Sequence, residues 1–279
     1  MNTAQVHIKA NGKVNLSLSV GKSLESGLHP IESKMARITF FDDLEVRRLD
    51  DHALSRYVIL WHEDAPRKTE IDWSVAADLS VRAHRLLETA VDRVLPIQMK
   101  LQKRIPVGGG LGGGSADAAA MLLAVSHLFH LDIDLQEIAT SLGSDVPYLL
   151  HGGTCLVGGI GDVITPIEYE PMDVVLIIPE YSCSTAAVFR AFDNVETHDV
   201  GGSNDLLAPA CLVEPRLAQD METLSVLLDQ EIHLSGSGSS MFAICDTTEH
   251  ATELARKIEE HTELVAIATQ TCHTALERT

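Results

Sequence analysis

The chain has 279 residues, enough for one large domain or two ordinary ones, and its 45% hydrophobic and 22% charged residues are typical of a soluble globular protein. Its 40 acidic residues outnumber the 21 basic ones, and the resulting net charge of −19 argues against nucleic-acid binding. The five cysteines are scattered and form no Cys-x-x-Cys pair, so we expect reduced thiols in a cytoplasm. Because residues 6–9 already fit a strand pattern and no apolar run approaches 18 residues, we expect neither a secretory leader nor a membrane span.

The first predicted element is a strand over residues 6–20, interrupted at Asn11-Gly12. Alternation along a strand places Lys13 and Asn15 on the same face. On this stretch alone, a solvated lysine on an edge strand is as good an interpretation as a functional pair. Further strands are predicted at 36–41, 44–49 and 57–61, then a helix over 74–95 and an amphipathic strand over 97–105.

A glycine-rich loop follows that strand, with three glycines on each side of Leu111, and leads into a helix predicted over 115–129. Such a loop leaves backbone N–H groups free at the helix N-terminus, where the helix dipole favours a phosphate chain. It is not a Walker P-loop, because no lysine precedes Ser115. The dinucleotide spacing Gly108-x-Gly110-x-x-Gly113 is weak evidence in so glycine-rich a run, and a flexible linker fits poorly between organised segments.

A short helix over 134–142, stopped by Gly143, leads to Asp145, two residues before Pro147. This position is typical of a helix N-cap, and capping and catalysis are equally good interpretations of Asp145. Both halves mix strands and helices, which predicts two α+β domains at 1–165 and 166–279. Predicted strands at 149–157 and 163–167 end the first half. The second half contains predicted strands at 174–179 and 264–269, helices at 185–192, 205–212, 215–228 and 247–261, a polar loop around 200 and a second glycine loop from 234.

Three separated segments occur in a familiar order: Lys13-Val-Asn15-Leu, the loop that starts at Pro106, and Gly236-Ser-Gly238-Ser. In this order they resemble the three motifs of the galactokinase, homoserine kinase, mevalonate kinase and phosphomevalonate kinase (GHMP) superfamily. The resemblance implies an α+β fold with an N-terminal domain like ribosomal protein S5 domain 2 and a ferredoxin-like C-terminal domain. Three further segments look most like the branch that phosphorylates 4-diphosphocytidyl-2-C-methyl-D-erythritol: Lys103-Arg-Ile-Pro, Leu142-Gly-Ser-Asp145-Val-Pro and Gly27-Leu-His29.

The resemblance implies transfer of phosphate from ATP to the 2-hydroxyl of that cytidine conjugate, in non-mevalonate isoprenoid biosynthesis. It makes Asp145 the base and Lys13 its electrostatic partner, which suits a phosphoryl transfer that needs mainly alignment and charge stabilisation. His29 would read the cytosine edge and Phe189 would stack on the base, where a surface histidine and a core phenylalanine are the plainer interpretations. The implied ATP site comprises Gly108, Gly109, Gly110, Leu111, Gly112, Gly113, Gly114, Ser115 and Lys103, with Ser115 also a candidate Mg²⁺ ligand, and the implied substrate site comprises Asn15, His29, Phe189, Gly236 and Gly238.

The sequence departs from the branch at three places. Leu28 stands where the family usually has a tyrosine, Ala10-Asn11-Gly12 replaces a Pro-Ala before the lysine, and Asp78 replaces an asparagine near the adenine pocket. A kinase for another small alcohol is therefore the alternative function. A non-catalytic nucleotide-binding protein is disfavoured, because Lys13, Asp145 and the loop are all intact. We expect ATP and Mg²⁺ as cofactors, no nucleic-acid or membrane partner, and a monomer or homodimer.

Overall fold

The structure is a computed structural model that describes residues 4–194 and 203–273. Six strands of the first half form one sheet in the order β3-β4-β2-β5-β6, with β1 also paired to β2. All neighbouring strands are antiparallel except β3 and β4, which are parallel. The strands are β1 (Gln5–Val20), β2 (Ile31–Arg48), β3 (Arg56–Trp61), β4 (Ile97–Lys103), β5 (Thr154–Gly158) and β6 (Val163–Pro166).

Strand β2 is one continuous element, where the sequence predicted separate strands at 36–41 and 44–49. The intervening Asp42 and Asp43 resemble a break, but both find partners in the sheet's neighbourhood. Asp42 is fully buried and accepts hydrogen bonds from the chain that follows β4, whereas Asp43 pairs with Arg104 at 2.7 Å. The uninterrupted strand pairs with β5 near one end and with β4 near the other.

Four helices accompany this sheet: α1 (Leu79–Ala90), α2 (Gly113–Phe129), α3 (Leu135–Leu142) and α4 (Val146–His151). The predicted helix over 74–95 was too long. A 3-10 turn at Val75–Ala77 precedes α1, Asp78 caps it, and Asp92 with its φ of 48° lies just beyond its end. The strand predicted over 149–157 was also wrong in its first part, because 149–151 complete α4 and only Thr154–Gly158 is a strand.

The second sheet has the antiparallel order β10-β7-β9-β8. Its four helices and the strands at 173–178 and 265–270 agree closely with the predicted ones, whereas the two strands at 233–234 and 241–245 flank or lie in the segment given only as the second glycine loop. The α+β class is confirmed. The predicted loop around residue 200 lies mostly outside the described residues. The strands are β7 (Asp173–Ile178), β8 (His233–Leu234), β9 (Met241–Cys245) and β10 (Val265–Gln270), and the helices are α5 (Thr185–Asp193), α6 (Leu207–Val213), α7 (Pro215–Leu228) and α8 (Thr248–His261).

A shared apolar cluster joins the two sheets. Val14 and Ile38 of the first sheet pack with Leu176 and Phe242 of the second, and all four are fully buried. Burial of this apolar surface holds the two halves side by side. A division into 1–165 and 166–279 remains a prediction. In the described part of the chain, no helix combines the length and apolar character needed to cross a membrane.

Candidate active site

Lys13 lies on β1 between two irregularities of the strand. The β1–β2 register shifts between Asn11 and Lys13 and again between Asn15 and Ser17, so this stretch is set off by a bulge on each side. The lysine is buried, 3% exposed, and its Nζ donates to Oδ1 of Asn15 at 2.5 Å. The interpretation of Lys13 as a solvated edge-strand lysine is therefore wrong.

Asp145 faces Lys13 from the start of α4. Its Oδ2 lies 3.7 Å from the lysine Nζ, and its side chain is 28% exposed. Although Asp145 occupies the N-cap position, its side chain makes no capping hydrogen bond to the helix. The tertiary structure therefore places the carboxylate beside the buried lysine, accessible from outside, instead of on the N–H groups of α4.

The phosphate loop, residues 108–115, is held against β1 by the backbone. Lys13 donates its own N–H to the carbonyl of Leu111 at 2.9 Å. Gly108, Gly110 and Gly112 have φ values of 71° to 74°, a region that glycine enters without steric cost. A side chain at Gly110 would overlap the carbonyl oxygen of Ser235. The predicted flexible-linker alternative does not fit a loop so tightly surrounded.

A buried ion cluster lies behind this loop and comprises Asp42, Lys103 and Asp117. The Nζ of Lys103 lies 2.6 Å from Oδ2 of Asp42 and 2.5 Å from Oδ2 of Asp117. Asp42 also accepts the backbone N–H of Arg104 and, at 2.7 Å, that of Ile105. The chain entering the loop is thus fixed by charge-assisted hydrogen bonds.

Burial shapes the titration of the cluster. It lowers the pKa of Lys103, but Asp117 and Asp42 outweigh this effect and raise that pKa above its ordinary value. Burial also raises the pKa of Asp117 well above its ordinary value, although the Lys103 ammonium acts in the opposite sense. The lysine was predicted as an ATP ligand; it lines the loop cavity, and its ammonium is held by the two carboxylates.

His29 and Phe189 form the far end of a second cavity. Their ring centroids lie 5.0 Å apart, and Nε2 of His29 lies 2.8 Å from Oδ1 of Asp193. His29 is 9% exposed, so the surface interpretation is wrong. Phe189 fits both interpretations of its role. It packs against the apolar core of the second half, and it also lines the cavity.

Two cavities meet at Asp145, the partner of Lys13. The larger, about 530 Å³, contains Lys13, Asn15, His29 and Phe189 in its lining. The smaller, about 450 Å³, is lined by the phosphate loop and by Ser115. Gly110, Asp145 and Thr185 line both. A phosphoryl donor bound on the loop and a phosphoryl acceptor bound in the larger cavity would therefore meet at Asp145.

The second glycine loop contributes unequally to the site. Gly236, with a φ of 58°, lies so close to the pair that an added Cβ would be 3.2 Å from Oδ1 of Asn15 and 3.3 Å from Nζ of Lys13. Gly238 instead abuts Leu234 and is not among the lining residues. The structure thus brings Gly236 next to Lys13 and Asn15 and places Gly238 in the turn that follows; a contact of either glycine with substrate remains a prediction.

Several lining residues were missed. Asp193 is spaced one helical turn from Phe189, a signal that could have found it. Arg190 and Thr185 lie on the same helix, and Ser237 adjoins Gly236, but none has a spacing that singles it out. Leu28, at the family's tyrosine position, is 51% exposed in the larger cavity, and Asp78 lines the smaller one while capping α1.

This geometry agrees with the family comparison. The family described as GHMP kinases N terminal domain matches residues 78–166, which include the phosphate loop and Asp145. The chain belongs to the GHMP kinases and is an ATP-dependent small-molecule kinase.

Individual relatives indicate which branch of the family the chain resembles. The chain is 35% identical over 236 residues to the 4-diphosphocytidyl-2-C-methyl-D-erythritol kinase of Mycobacterium leprae, covering 83% of this chain and 70% of that one. It is 34% identical over 268 residues to the kinase of the same name from Chromobacterium violaceum, covering 90% of each. A crystal structure of 4-(cytidine 5'-diphospho)-2C-methyl-D-erythritol kinase superposes with a TM-score of 0.78 at 28% identity, over 96% of this chain and all of that one. Within the superfamily, the chain groups with these kinases.

Proposed function

We propose that the protein transfers the γ-phosphoryl group of ATP to the 2-hydroxyl of 4-diphosphocytidyl-2-C-methyl-D-erythritol, in isoprenoid precursor biosynthesis. The observation that carries the proposal is the Lys13–Asp145 pair, 3.7 Å apart, at the junction of the loop cavity and the His29–Phe189 cavity. The names of the relatives supply the acceptor, since each acts on this cytidine conjugate.

In this proposal Asp145 accepts the proton of the acceptor hydroxyl as that oxygen attacks the γ-phosphorus, the bond from the γ-phosphorus to the bridging oxygen breaks, and ADP leaves. A loose transition state requires alignment more than a strong base, and a carboxylate at hydrogen-bond distance from the hydroxyl provides it. Lys13, held by Asn15, stabilises the negative charge that develops between nucleophile and phosphate. Burial strengthens this interaction, because the lysine is 3% exposed.

The loop binds the triphosphate through its backbone N–H groups at the start of α2. We propose that the backbone of Gly108 to Gly114, with Leu111, supplies this surface. Lys103 would support the loop from its buried side through the ion cluster with Asp42 and Asp117. Ser115 fits the role of a Mg²⁺ ligand, because its half-buried hydroxyl lines the loop cavity and makes no hydrogen bond to a described residue. A Mg²⁺ ion held there would supply positive charge that offsets the negative charge of the phosphates.

The cytidine end would occupy the other end of the larger cavity. With His29 in the Nε2–H tautomer, Nε2–H donates a hydrogen bond to Oδ1 of Asp193, and Nδ1 would accept one from the cytosine amino group. Phe189 offers a ring face for stacking. Asn15 and Gly236 border the alcohol end beside Lys13, whereas Gly238 acts through the shape of its loop.

ATP consumption tests this function directly. Purified protein with Mg²⁺ and 4-diphosphocytidyl-2-C-methyl-D-erythritol should show saturable turnover, and free methylerythritol should be a poor acceptor. Preference for free methylerythritol would overturn the proposal.

Asp145→Asn tests the assigned base. It should lower kcat by about a hundredfold or more while leaving ATP affinity nearly unchanged. The matched control is Asp134→Asn, since Asp134 caps α3 outside both cavities and asparagine caps equally well. An Asp145→Asn enzyme as active as this control would remove Asp145 from the mechanism.

Leu28 favours one alternative, a kinase for another small alcohol. Its side chain is 51% exposed and, unlike a tyrosine, offers the cytosine no aromatic face. Loss of one stacking partner costs about 1–3 kcal/mol, which weakens base binding without abolishing it. Turnover of homoserine, mevalonate or a sugar, with none of the cytidine conjugate, would support this second function.

A further inference from the structure

One face of helix α5 lines the larger cavity. Thr185, Ala186, Phe189, Arg190 and Asp193 all belong to the lining. Their spacing of one, four, five and eight residues from Thr185 is that of a single helical face. The proposed function uses Phe189 and Asp193 on this face and leaves the arginine without a role.

Arg190 is an unusual cation for this cavity. Among the lining residues that the structure describes, Lys13 and Arg190 are the only lysine or arginine. Lys13 is already bonded to Asn15 and paired with Asp145. The Arg190 guanidinium forms no hydrogen bond or ion pair with any described residue. In a chain of net charge −19, an exposed arginine in a cavity with two carboxylates is left available for an anion.

The helix geometry indicates where this guanidinium lies. Side chains on a helix lean towards its N-terminus, so Arg190 passes over the residue four positions earlier, Ala186, whose methyl group leaves space. The Thr185 end of the face adjoins the junction at Asp145, and Phe189 and Asp193 mark the base-binding end. The guanidinium is therefore expected between the base site and the reacting hydroxyl.

We propose that Arg190 binds the diphosphate of the acceptor and makes the site selective for alcohols linked to a nucleoside diphosphate. The inference rests on the proposed function, because in that acceptor the diphosphate joins the cytidine to the alcohol. A guanidinium offers paired N–H donors in a planar fork that matches two phosphate oxygens. It also supplies the local positive charge that the acidic protein lacks at long range.

Binding of cytidine and CDP separates this role from a structural one. Calorimetry with the ATP site filled by a non-hydrolysable ATP analogue should show that the wild type binds CDP more tightly than cytidine. Arg190→Ala should weaken CDP binding by about tenfold to a hundredfold and leave cytidine binding within about twofold. Arg190→Lys should be intermediate, because it keeps the charge and loses the fork. In turnover, the KM for the acceptor should rise by a similar factor with kcat nearly unchanged.

Arg256→Ala is the matched control, an exposed arginine on α8 that lines neither cavity. If Arg190→Ala binds CDP as tightly as this control does, the inference is overturned. Turnover of the cytidine conjugate by the wild type would still support the proposed function in that case. An equal loss of cytidine and CDP affinity would also overturn it, because Arg190 would then only shape the base site. A wild type that neither binds cytidine or CDP nor turns over the conjugate would overturn both proposals.

Discussion

The two glycine loops of the site meet each other but are supported in different ways. The phosphate loop has the buried ion cluster of Asp42, Lys103 and Asp117 behind it. The second loop, residues 235–240, is held by neutral groups: the side-chain amide of Asn204 donates to the carbonyls of Leu234 and Gly236 at 2.9 and 2.8 Å. The loops join through two hydrogen bonds to carbonyls of the phosphate loop, one from Ser240 N–H to Gly109 and one from the Ser235 hydroxyl to Gly110, each at 3.0 Å.

The difference follows from what each loop presents. A loop that binds a phosphate chain must leave its N–H groups unpaired, so it cannot be rigid through its own hydrogen bonds. Asp42 and Lys103 supply the missing order from the buried side. The second loop only brings Gly236 close to Lys13 and Asn15, and two amide hydrogen bonds are enough for that.

Gly110→Ala should have the largest effect, because it breaks the contact between the loops. The new methyl group would overlap the Ser235 carbonyl oxygen, and alanine disfavours the φ of 74°. We expect ATP binding to weaken by about a hundredfold or more, measured by calorimetry. Gly158→Ala is the control, since its Cβ would meet only ordinary contacts at 3.8 Å or more. Unchanged ATP affinity in Gly110→Ala would show that the loops adjust independently.

Asp42→Asn should break the ionic support alone. It removes one partner of a buried ammonium, a change that costs about 3–5 kcal/mol of unfolding free energy. Urea denaturation should show this loss, and the KM for ATP should rise while the KM for the acceptor changes little. The exposed Asp50→Asn serves as control. An equal rise in both KM values would mean that the cluster stabilises the whole site and not the phosphate loop.

Asn204→Ala should have a smaller effect, confined to the second loop. Two carbonyls lose their donor, at a cost of about 1–3 kcal/mol. Because Gly236 borders Lys13 and Asn15, the KM for the acceptor should rise more than the KM for ATP. A larger rise in the KM for ATP than in the KM for the acceptor would show that the second loop serves the ATP site.

Asp117→Asn should have the smallest effect and a characteristic pH dependence. Since burial raises the pKa of Asp117 in the folded state, its contribution to stability is full below the unfolded value of about 3.9 and is lost as pH rises through the folded value. Asparagine does not titrate, so the variant should gain stability relative to wild type as the pH rises from that unfolded value through the neutral range. Parallel denaturation curves over this range would show that Asp117 remains ionised in the folded protein.

Local features of this chain could be predicted from the sequence. The glycine run before a helix, Gly143 after α3 and the alternation of β4 depend on neighbours within a few residues, so the sequence determined them. The helix over 74–95 was overestimated for the same reason, since Asp78 as cap and a left-handed Asp92 were not weighed against its apolar pattern.

The chemistry of the charged residues was decided only by the tertiary structure. Lys13 and Asp145 are 132 positions apart, and whether Asp145 caps a helix or faces a lysine depends on which strand lies opposite it. Lys103, predicted at the phosphate, lines the loop cavity with its ammonium held between Asp42 and Asp117. The energy of a charge depends on burial and on partners that are distant in sequence, and neither exists until the sheets have packed.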